Sequence, residues 1–265
     1  MTIQRSFELV DIVKETPKVS TFFFKFNKIA EPGQFLMVWV PGSEEVPMSV
    51  AYSDKKSIAI SVAAIGPASN SLHAKKIGDY IGLRGPFGKP FTLKIGTKRI
   101  ALVAGGYGAA PLGLFAERIK SSHKEVQIDS FLGARTREDL LFVKRLEKVS
   151  TVYISTNDGS TGHKGLVIEP FEQELKKKKF DCVYTCGPEM MEKAIFDICA
   201  KNNLDLQASL ERIMKCGFGI CGSCMMDDLI LCIDGPVVEM RELKRLKEFG
   251  VSHRDKAGVL QYWKK

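Results

Sequence analysis

A multidomain chain of β plus α/β class is what the sequence predicts, on three observations. Residues 1–95 hold short runs rich in Val, Ile and Phe separated by Gly, Pro and Asp turns, the signature of a small antiparallel barrel. Residues 96–210 alternate apolar strands with helical segments, as a parallel, Rossmann-like sheet requires. Residues 211–265 carry Cys216, Cys221, Cys224 and Cys232 close together and make a third part.

In the first part the expected strands are residues 7–13, 19–26, 35–40, 48–52, 58–62 and 80–83. Turn signals separate them at Glu31-Pro32-Gly33, Pro41-Gly42-Ser43, Ser53-Asp54 and Gly85-Pro86. One interruption, Gly66-Pro67-Ala68-Ser69, opens a short helix with Ser69 as its expected cap, and free N–H groups at a helix start can seat a phosphate. Taken alone, the same segment suits a capped helix that merely closes the barrel.

The second part opens with an apolar strand at 99–104 and a glycine loop, Gly105-Gly106-Tyr107-Gly108. A helix is expected over 109–122, with Pro111 in its first turn and Leu112, Phe115 and Ile119 on one face. Strands follow at 126–132, 151–155, 182–185 and 206–210, with helices at 137–147 and 189–200 between them. Ligands of such a sheet bind at the carboxyl ends of its strands, where Gly105 to Gly108 and Cys186-Gly187-Pro188 both fall. Glycine lets a backbone approach a pyrophosphate or a nicotinamide ring, although a bare turn uses it as well. Arg135, at another strand end, suits an adenosine ribose or phosphate and an ordinary surface role equally.

The cysteines follow C-x4-C-x2-C-x7-C, which opens like the plant-type [2Fe–2S] loop. Gly217, Gly219 and Gly222 permit the tight turn and let N–H groups point at sulfur. The bland alternative is structural zinc, which also takes four thiolates but usually pairs two C-x2-C knuckles, and only Cys221 and Cys224 make one here. Disulfides fit less well, because seven cysteines is an odd count and a 265-residue chain needs no staples. Cys182 and Cys199 read as core thiols, Met190-Met191 as packing, and Thr136 as a helix cap. His73, His123, His163 and His253 lack paired-ligand spacing.

Composition narrows the rest. With 45% hydrophobic residues the chain can bury substantial cores in two domains or so. The N-terminal sequence lacks a basic-then-apolar signal pattern, and no window approaches the roughly 18 apolar residues of a membrane span. A reducing cytoplasm is therefore the expected location, and no membrane contact is expected. The net charge of +8 is spread along the chain, so nucleic acid is not expected. The densest run, Lys176 to Lys179, reads as a solvated face at a helix end, and an acidic protein partner stays open.

The order of barrel, glycine loop, Cys-Gly-Pro loop and cysteine cluster resembles the ferredoxin reductase superfamily. Within it the chain most resembles the electron transfer subunits of class 1B dihydroorotate dehydrogenase, over nearly its whole length. The likeness rests on Pro47-Met48-Ser49 in place of the family's Arg-Pro-x-Ser, on Gly85-Pro86-Phe87-Gly88, and on Gly105-Gly106-Tyr107-Gly108-Ala109-Ala110-Pro111. It extends to Cys186-Gly187-Pro188, the cysteine loop, Asp234-Gly235-Pro236-Val237 and the tail from Glu248 to Asp255. The resemblance implies an FAD-binding barrel, with Pro47, Met48 and Ser49 near the flavin ring. Ser61, Val62 and Ala63 would run beside the cofactor, and Gly66, Ala68 and Ser69 would meet its pyrophosphate. It implies NAD at Gly105, Gly106, Gly108 and Ala109 and at Cys186, Gly187 and Pro188, and a [2Fe–2S] cluster on Cys216, Cys221, Cys224 and Cys232.

The implied activity carries electrons from an FMN-containing catalytic subunit through the cluster and FAD to NAD+, in pyrimidine biosynthesis. Dihydroorotate chemistry belongs to the partner, no catalytic residue lies in this chain, and the implied assembly is a heterotetramer of two subunits of each kind. Two departures stand out. Val46 and Ala63 replace arginines common in the family, and neither can fork onto a phosphate, so Arg84 and the helix start near Ser69 are left to hold FAD. Two rival readings remain. One is a flavin and iron–sulfur subunit of a soluble hydrogenase, sulfite reductase or transhydrogenase; the other is a redox-sensing or zinc-stabilised module without enzymatic activity.

Overall fold

The computed structural model describes residues 3–263. Six strands close an antiparallel barrel: β1 (Arg5–Lys14), β2 (Val19–Lys25), β3 (Phe35–Trp39), β4 (Glu45–Ser53), β5 (Ser57–Ala63) and β6 (Tyr80–Phe87), in the order β1-β2-β5-β4-β3-β6. Alternation along each strand sends Leu9, Phe22, Phe24, Leu36, Val38, Val50, Ile58 and Ile60 into the barrel. Closure leaves no open sheet edge.

Between β5 and β6 runs α1 (Pro67–His73). Its N-cap is Gly66, and the expected cap Ser69 stands one turn inside the helix. From there the Ser69 hydroxyl accepts the N–H groups of Ile65 at 3.1 Å and Gly66 at 2.9 Å. Pro67 is the reason for the shift, since proline suits the first helical position and has no N–H of its own to cap.

The second sheet runs in spatial order through His163–Lys164, Thr151–Thr156, Gln127–Ala134, Arg99–Gly105, Cys182–Cys186, Asp205–Ser209 and Val237–Glu239. Its first members are β7 (Arg99–Gly105) and, after a 3-10 turn at Gly106–Gly108 and α2 (Ala109–Ser122), β8 (Gln127–Ala134). Then come a 3-10 turn at Arg137–Asp139, α3 (Val143–Glu147), β9 (Thr151–Thr156), β10 (His163–Lys164) and α4 (Ile168–Leu175). β11 (Cys182–Cys186), α5 (Glu189–Lys201) and β12 (Asp205–Ser209) complete the parallel part. The single helix expected over 137–147 is in fact two short pieces, because Phe142 takes a left-handed conformation at φ 59° and breaks it.

After β12 come β13 (Met225–Met226), β14 (Leu229–Ile230), α6 (Leu231–Asp234), β15 (Val237–Glu239) and α7 (Met240–Leu243), and a hairpin of β16 (Ser252–Arg254) and β17 (Leu260–Tyr262). The sequence pattern missed β15, which pairs antiparallel with β12, Ala208 opposite Val238, as the last strand of the big sheet. Cys224, Met226, Leu231 and Cys232 join the core that holds Val103, Phe131 and Val183 of the sheet and Phe35 and Met37 of the barrel. The cysteine segment is thus packed against both other parts.

The lysine run also differs from expectation. Lys178 is half-buried, and its ammonium reaches Asp129 at 2.8 Å, the Tyr153 hydroxyl at 2.6 Å and Glu174 at 3.0 Å. Burial opposes its charge, but these partners outweigh burial and raise its pKa. Asp129, 2% exposed, is the cause: β8 carries this carboxylate into the interior, where it needs cations, and Arg99 supplies the second at 2.9 Å.

Candidate cluster and nucleotide sites

The four thiols lie in two neighbouring pairs. Cys232 N–H donates to the Cys224 sulfur at 3.4 Å, while Cys216 hydrogen-bonds Cys221. Cys224 and Cys232 are buried, Cys216 is half-buried and Cys221 is exposed. Gly217, Gly219 and Gly222 all have positive φ, 79°, 86° and 69°, which winds the chain tightly between ligands. One product of that winding is the Gly219 N–H, which donates to the Cys232 sulfur at 3.1 Å.

Two of the thiols are pushed in opposite directions. Burial raises the Cys221 pKa, but hydrogen bonds from Ser223 and Cys216 outweigh it and bring the thiol down to about 6. Burial and the adjacent Cys224 push Cys232 up to about 12. Two thiol pairs with N–H groups turned toward sulfur suit a two-iron cluster, with two thiolates for each iron.

This loop lies on the outer face of the barrel. A Cβ at Gly217 would stand 2.7 Å from Met37 Cγ, and the Phe218 ring lies 5.5 Å from the Arg84 guanidinium, which also covers Phe87 at 5.9 Å. Arg84 forks onto Glu45 through Nε, at 2.8 Å, and Nη2, and this bond is the chief reason its pKa is raised. The arginine expected at a flavin phosphate is therefore committed to Glu45, beside the cysteine loop.

The flavin-side residues fall on neighbouring strands. Met37 stands opposite Pro47 and Phe35 opposite Ser49, so Pro47 and Ser49 share the outer face that meets the cysteine loop. Met48, opposite Leu36, turns toward the barrel interior. Ser61 hydrogen-bonds Thr21 at 2.8 Å, Val62 and Ala63 are buried, and the Val62 carbonyl accepts His73 Nε2 at 2.8 Å. Val46 stands opposite Val38, and Ala63 opposite Val19. The buried Ala68 and Ser69 lie on α1, which Gly66 caps. The triplet on β4 and the α1 start thus come from different strands and loops of one barrel.

The nucleotide residues are brought together more tightly. β7 and β11 are adjacent and parallel, with Cys186 beside Ala104, so their two loops leave the sheet side by side. A Cβ at Gly108 would stand 1.9 Å from the Cys186 carbonyl oxygen, and one at Gly187 would stand 2.9 Å from Gly105 N. Gly105 is covered by Pro188 and Met191. Gly106 alone has open space around it, at φ 53°, and Ala109 begins α2. This arrangement presents a glycine-lined backbone surface at the carboxyl edge of the sheet, with the starts of α2 and α5 beside it.

Sequence reasoning missed Glu192 and the Arg212–Glu189 pair here. Glu192 is 1% exposed and accepts the Gly187 N–H at 3.3 Å, while its second oxygen has no partner. The signal was available, because Glu192 shares a helix face with Ile195 and Cys199. Arg212 and Glu189, both almost fully buried, form an ion pair whose arginine also donates to the Ser252 carbonyl at 3.0 Å. That pair ties the Cys-Gly-Pro loop to the chain entering the cysteine loop.

Comparison with known proteins bears on both sites. Residues 211–244 match the iron-sulfur cluster binding domain of dihydroorotate dehydrogenase B, and residues 102–197 match the oxidoreductase NAD-binding domain. A Methanocaldococcus jannaschii protein named probable dihydroorotate dehydrogenase B (NAD(+)), electron transfer subunit, is 46% identical over 96% of each chain. The chain belongs to the family of dihydroorotate dehydrogenase B electron transfer subunits. Another relative of that name, from Methanothermobacter thermautotrophicus, is 38% identical over 99% of each chain. Among solved structures, a chain from the NADH-dependent reduced ferredoxin-NADP oxidoreductase superposes with TM-score 0.81 at 29% identity, over 94% of this chain and 95% of that one. The FAD/NAD-binding domain of a Vibrio cholerae nitric oxide dioxygenase shares the fold, with TM-score 0.67 at 19% identity, over 77% of this chain and 97% of that one. The barrel and sheet of this family are thus those of the wider reductase fold, and the family's cluster-binding domain covers all four cysteines.

Proposed function

We propose that this chain is the electron transfer subunit of a dihydroorotate dehydrogenase, joining an FMN-containing catalytic subunit to NAD+ in pyrimidine biosynthesis. The observation that carries the proposal is the seating of the cysteine loop on Met37, Arg84 and Phe87, on the same barrel face as Pro47 and Ser49. Cluster and flavin seats therefore share a wall. Cys216, Cys221, Cys224 and Cys232 would hold a [2Fe–2S] cluster. FAD would lie along Pro47, Met48 and Ser49, and Ser61, Val62 and Ala63, with its pyrophosphate at Gly66, Ala68 and Ser69. NAD would lie on Gly105, Gly106, Gly108, Ala109, Cys186, Gly187 and Pro188. When bound, the flavin exchanges electrons in pairs with a nicotinamide and singly with the cluster.

The protein's own residues bind and orient. The Gly219 N–H favours negative charge on the Cys232 sulfur, and the glycine surface lets a nicotinamide approach the backbone closely. Boundaries near residues 95 and 210 would separate the FAD, NAD and cluster parts. The assembly would be two catalytic and two electron transfer subunits in the cytoplasm. Among the described residues no helix is long and apolar enough to cross a membrane.

The test is an absorption spectrum of anaerobically purified chain, with iron, sulfide, zinc and extracted flavin measured on the same sample. Flavin with two irons and two sulfides per chain is expected, and zinc without flavin would overturn the proposal in favour of a zinc-stabilised module. A second proposal, a subunit of a pyridine-nucleotide transhydrogenase, draws support from the 0.81 superposition on the ferredoxin-NADP oxidoreductase chain. Co-purification decides between them: a dihydroorotate-oxidising FMN partner supports the first, a second pyridine-nucleotide flavoprotein the other.

A further inference from the structure

We propose that Glu192 is the positioning residue of the nucleotide site, fixing the Cys186-Gly187-Pro188 loop through the Gly187 N–H. The inference rests on the nucleotide role given above and concerns what holds that loop in shape. Gly187 follows Cys186, the last residue of β11 in register with either neighbouring strand. Glu192 Oε1 accepts the Gly187 N–H at 3.3 Å from the first turn of α5. The Glu192 N–H donates to the Pro188 carbonyl at 3.1 Å as the first helical bond of α5, which sets the residue directly beside the loop.

The neighbourhood explains why a carboxyl group stands there. Glu192 is 1% exposed on the face it shares with Ile195 and Cys199, where an apolar residue would pack equally well. Burial, reinforced by the nearby charges of Glu189 and Glu211, raises its pKa well above the ordinary carboxylate value, against the lowering effect of the Gly187 N–H and the weaker pull of Arg212. The direction of that shift favours the uncharged acid. A neutral carboxyl group costs less to bury than a carboxylate and still accepts one N–H.

Position matters at this loop because tolerances are small. A Cβ on Gly187 would fall 2.9 Å from Gly105 N, and one on Gly108 would fall 1.9 Å from the Cys186 oxygen. A Gly187 peptide released from Glu192 would rotate against Gly105 and change the surface that meets the nicotinamide. Glu192 touches no substrate in this scheme, so its loss should weaken nucleotide binding more than turnover.

The test uses the full chain carrying flavin and cluster, with NADH as donor and ferricyanide as acceptor. Glu192→Met fills the same space without an acceptor, and Glu192→Gln keeps the carbonyl oxygen. The expected result is an NADH KM raised about tenfold in Glu192→Met with kcat within about twofold, the size of one lost buried hydrogen bond. Glu192→Gln should restore both constants to within about twofold of the parent. Glu192→Leu replaces Glu192→Met where the latter does not accumulate. An unchanged KM in the apolar variant, a fall confined to kcat, or a Gln variant as impaired as the Met variant overturns the inference. If the parent chain itself fails to oxidise NADH, the nucleotide site falls and takes this inference with it.

Discussion

Gly219 sits in the cysteine loop and Gly108 in the turn after β7, yet the chain needs a glycine at each for a different reason. Gly219 has φ 86°, and the nearest obstacle to a Cβ is the Cδ1 tip of Ile233, at 2.0 Å. Gly108 has an ordinary helical φ of −60°, but a Cβ there would strike the Cys186 carbonyl oxygen at 1.9 Å. The cysteine loop uses glycine to wind the backbone around a group. The nucleotide face uses glycine to let two strand ends close on each other. In the first case the constraint is torsional and local; in the second it is steric and belongs to the whole sheet.

Substitution at the two positions separates these constraints. Gly108→Ala should have the largest effect, because no side chain can move aside for it: about 3 kcal/mol of stability, with NADH oxidation nearly abolished. Urea unfolding and NADH–ferricyanide assays measure both, and near-parental iron content is expected in the folded fraction. Gly219→Ala should cost about 1–2 kcal/mol through its left-handed backbone, and Ile233 can rotate away. Its signature is lower iron and sulfide per chain with NADH KM unchanged. If Gly219→Ala raises that KM, or Gly108→Ala strips the iron, the two regions are not independent and the comparison fails.

Within the cysteine loop the thiols themselves divide. Cys221, exposed and brought down to about 6, should be mostly thiolate at pH 7, whereas the buried Cys232, raised to about 12, should be almost wholly protonated. Iodoacetamide applied to metal-free chain, followed by peptide mass mapping, should therefore label Cys221 first and Cys232 far more slowly. Labelling of Cys221 should rise as pH climbs through about 6. Equal rates at the two cysteines would show that the loop has no such asymmetry.

The smallest effect is expected away from both loops. Hydrogen bonds from Lys177 and Lys178 lower the Glu174 pKa from 4.5 to about 2. A depressed carboxylate stabilises the fold above its unfolded value, and that contribution is lost as pH falls from 4.5 through about 2. Glu174→Gln should remove this part of the acid dependence, read as a shallower fall of melting temperature between those pH values, while leaving both functional loops unaffected.

How far the sequence could be read follows the same division. Barrel strands and the β7–α2 unit were legible because hydrophobic period and turn residues are local properties, and α2 occupies the expected 109–122. The position of the cysteine loop was legible from spacing alone. What was hidden depended on distant partners. Lys178 looks like its three lysine neighbours until β8 delivers Asp129 beside it. Arg84 looks available for a phosphate until the β4 strand sets Glu45 across from it. Phe142 gives no local sign of its left-handed backbone, so the break in the 137–147 helix was invisible. β15 is a short strand whose existence rests on pairing with β12.

That pairing also sets an order of events during synthesis. All four cysteines lie between β12 and β15, so the sheet gains its last strand only after every thiol has left the ribosome. Residues 210–236 form the loop that this pairing closes, and closing it has an entropic cost that contacts made early in the chain cannot offset. Iron captured by the thiols would draw the same loop together from within. Metal loading would therefore favour completion of the sheet, and maturation of this edge is the step that a supply of iron would speed.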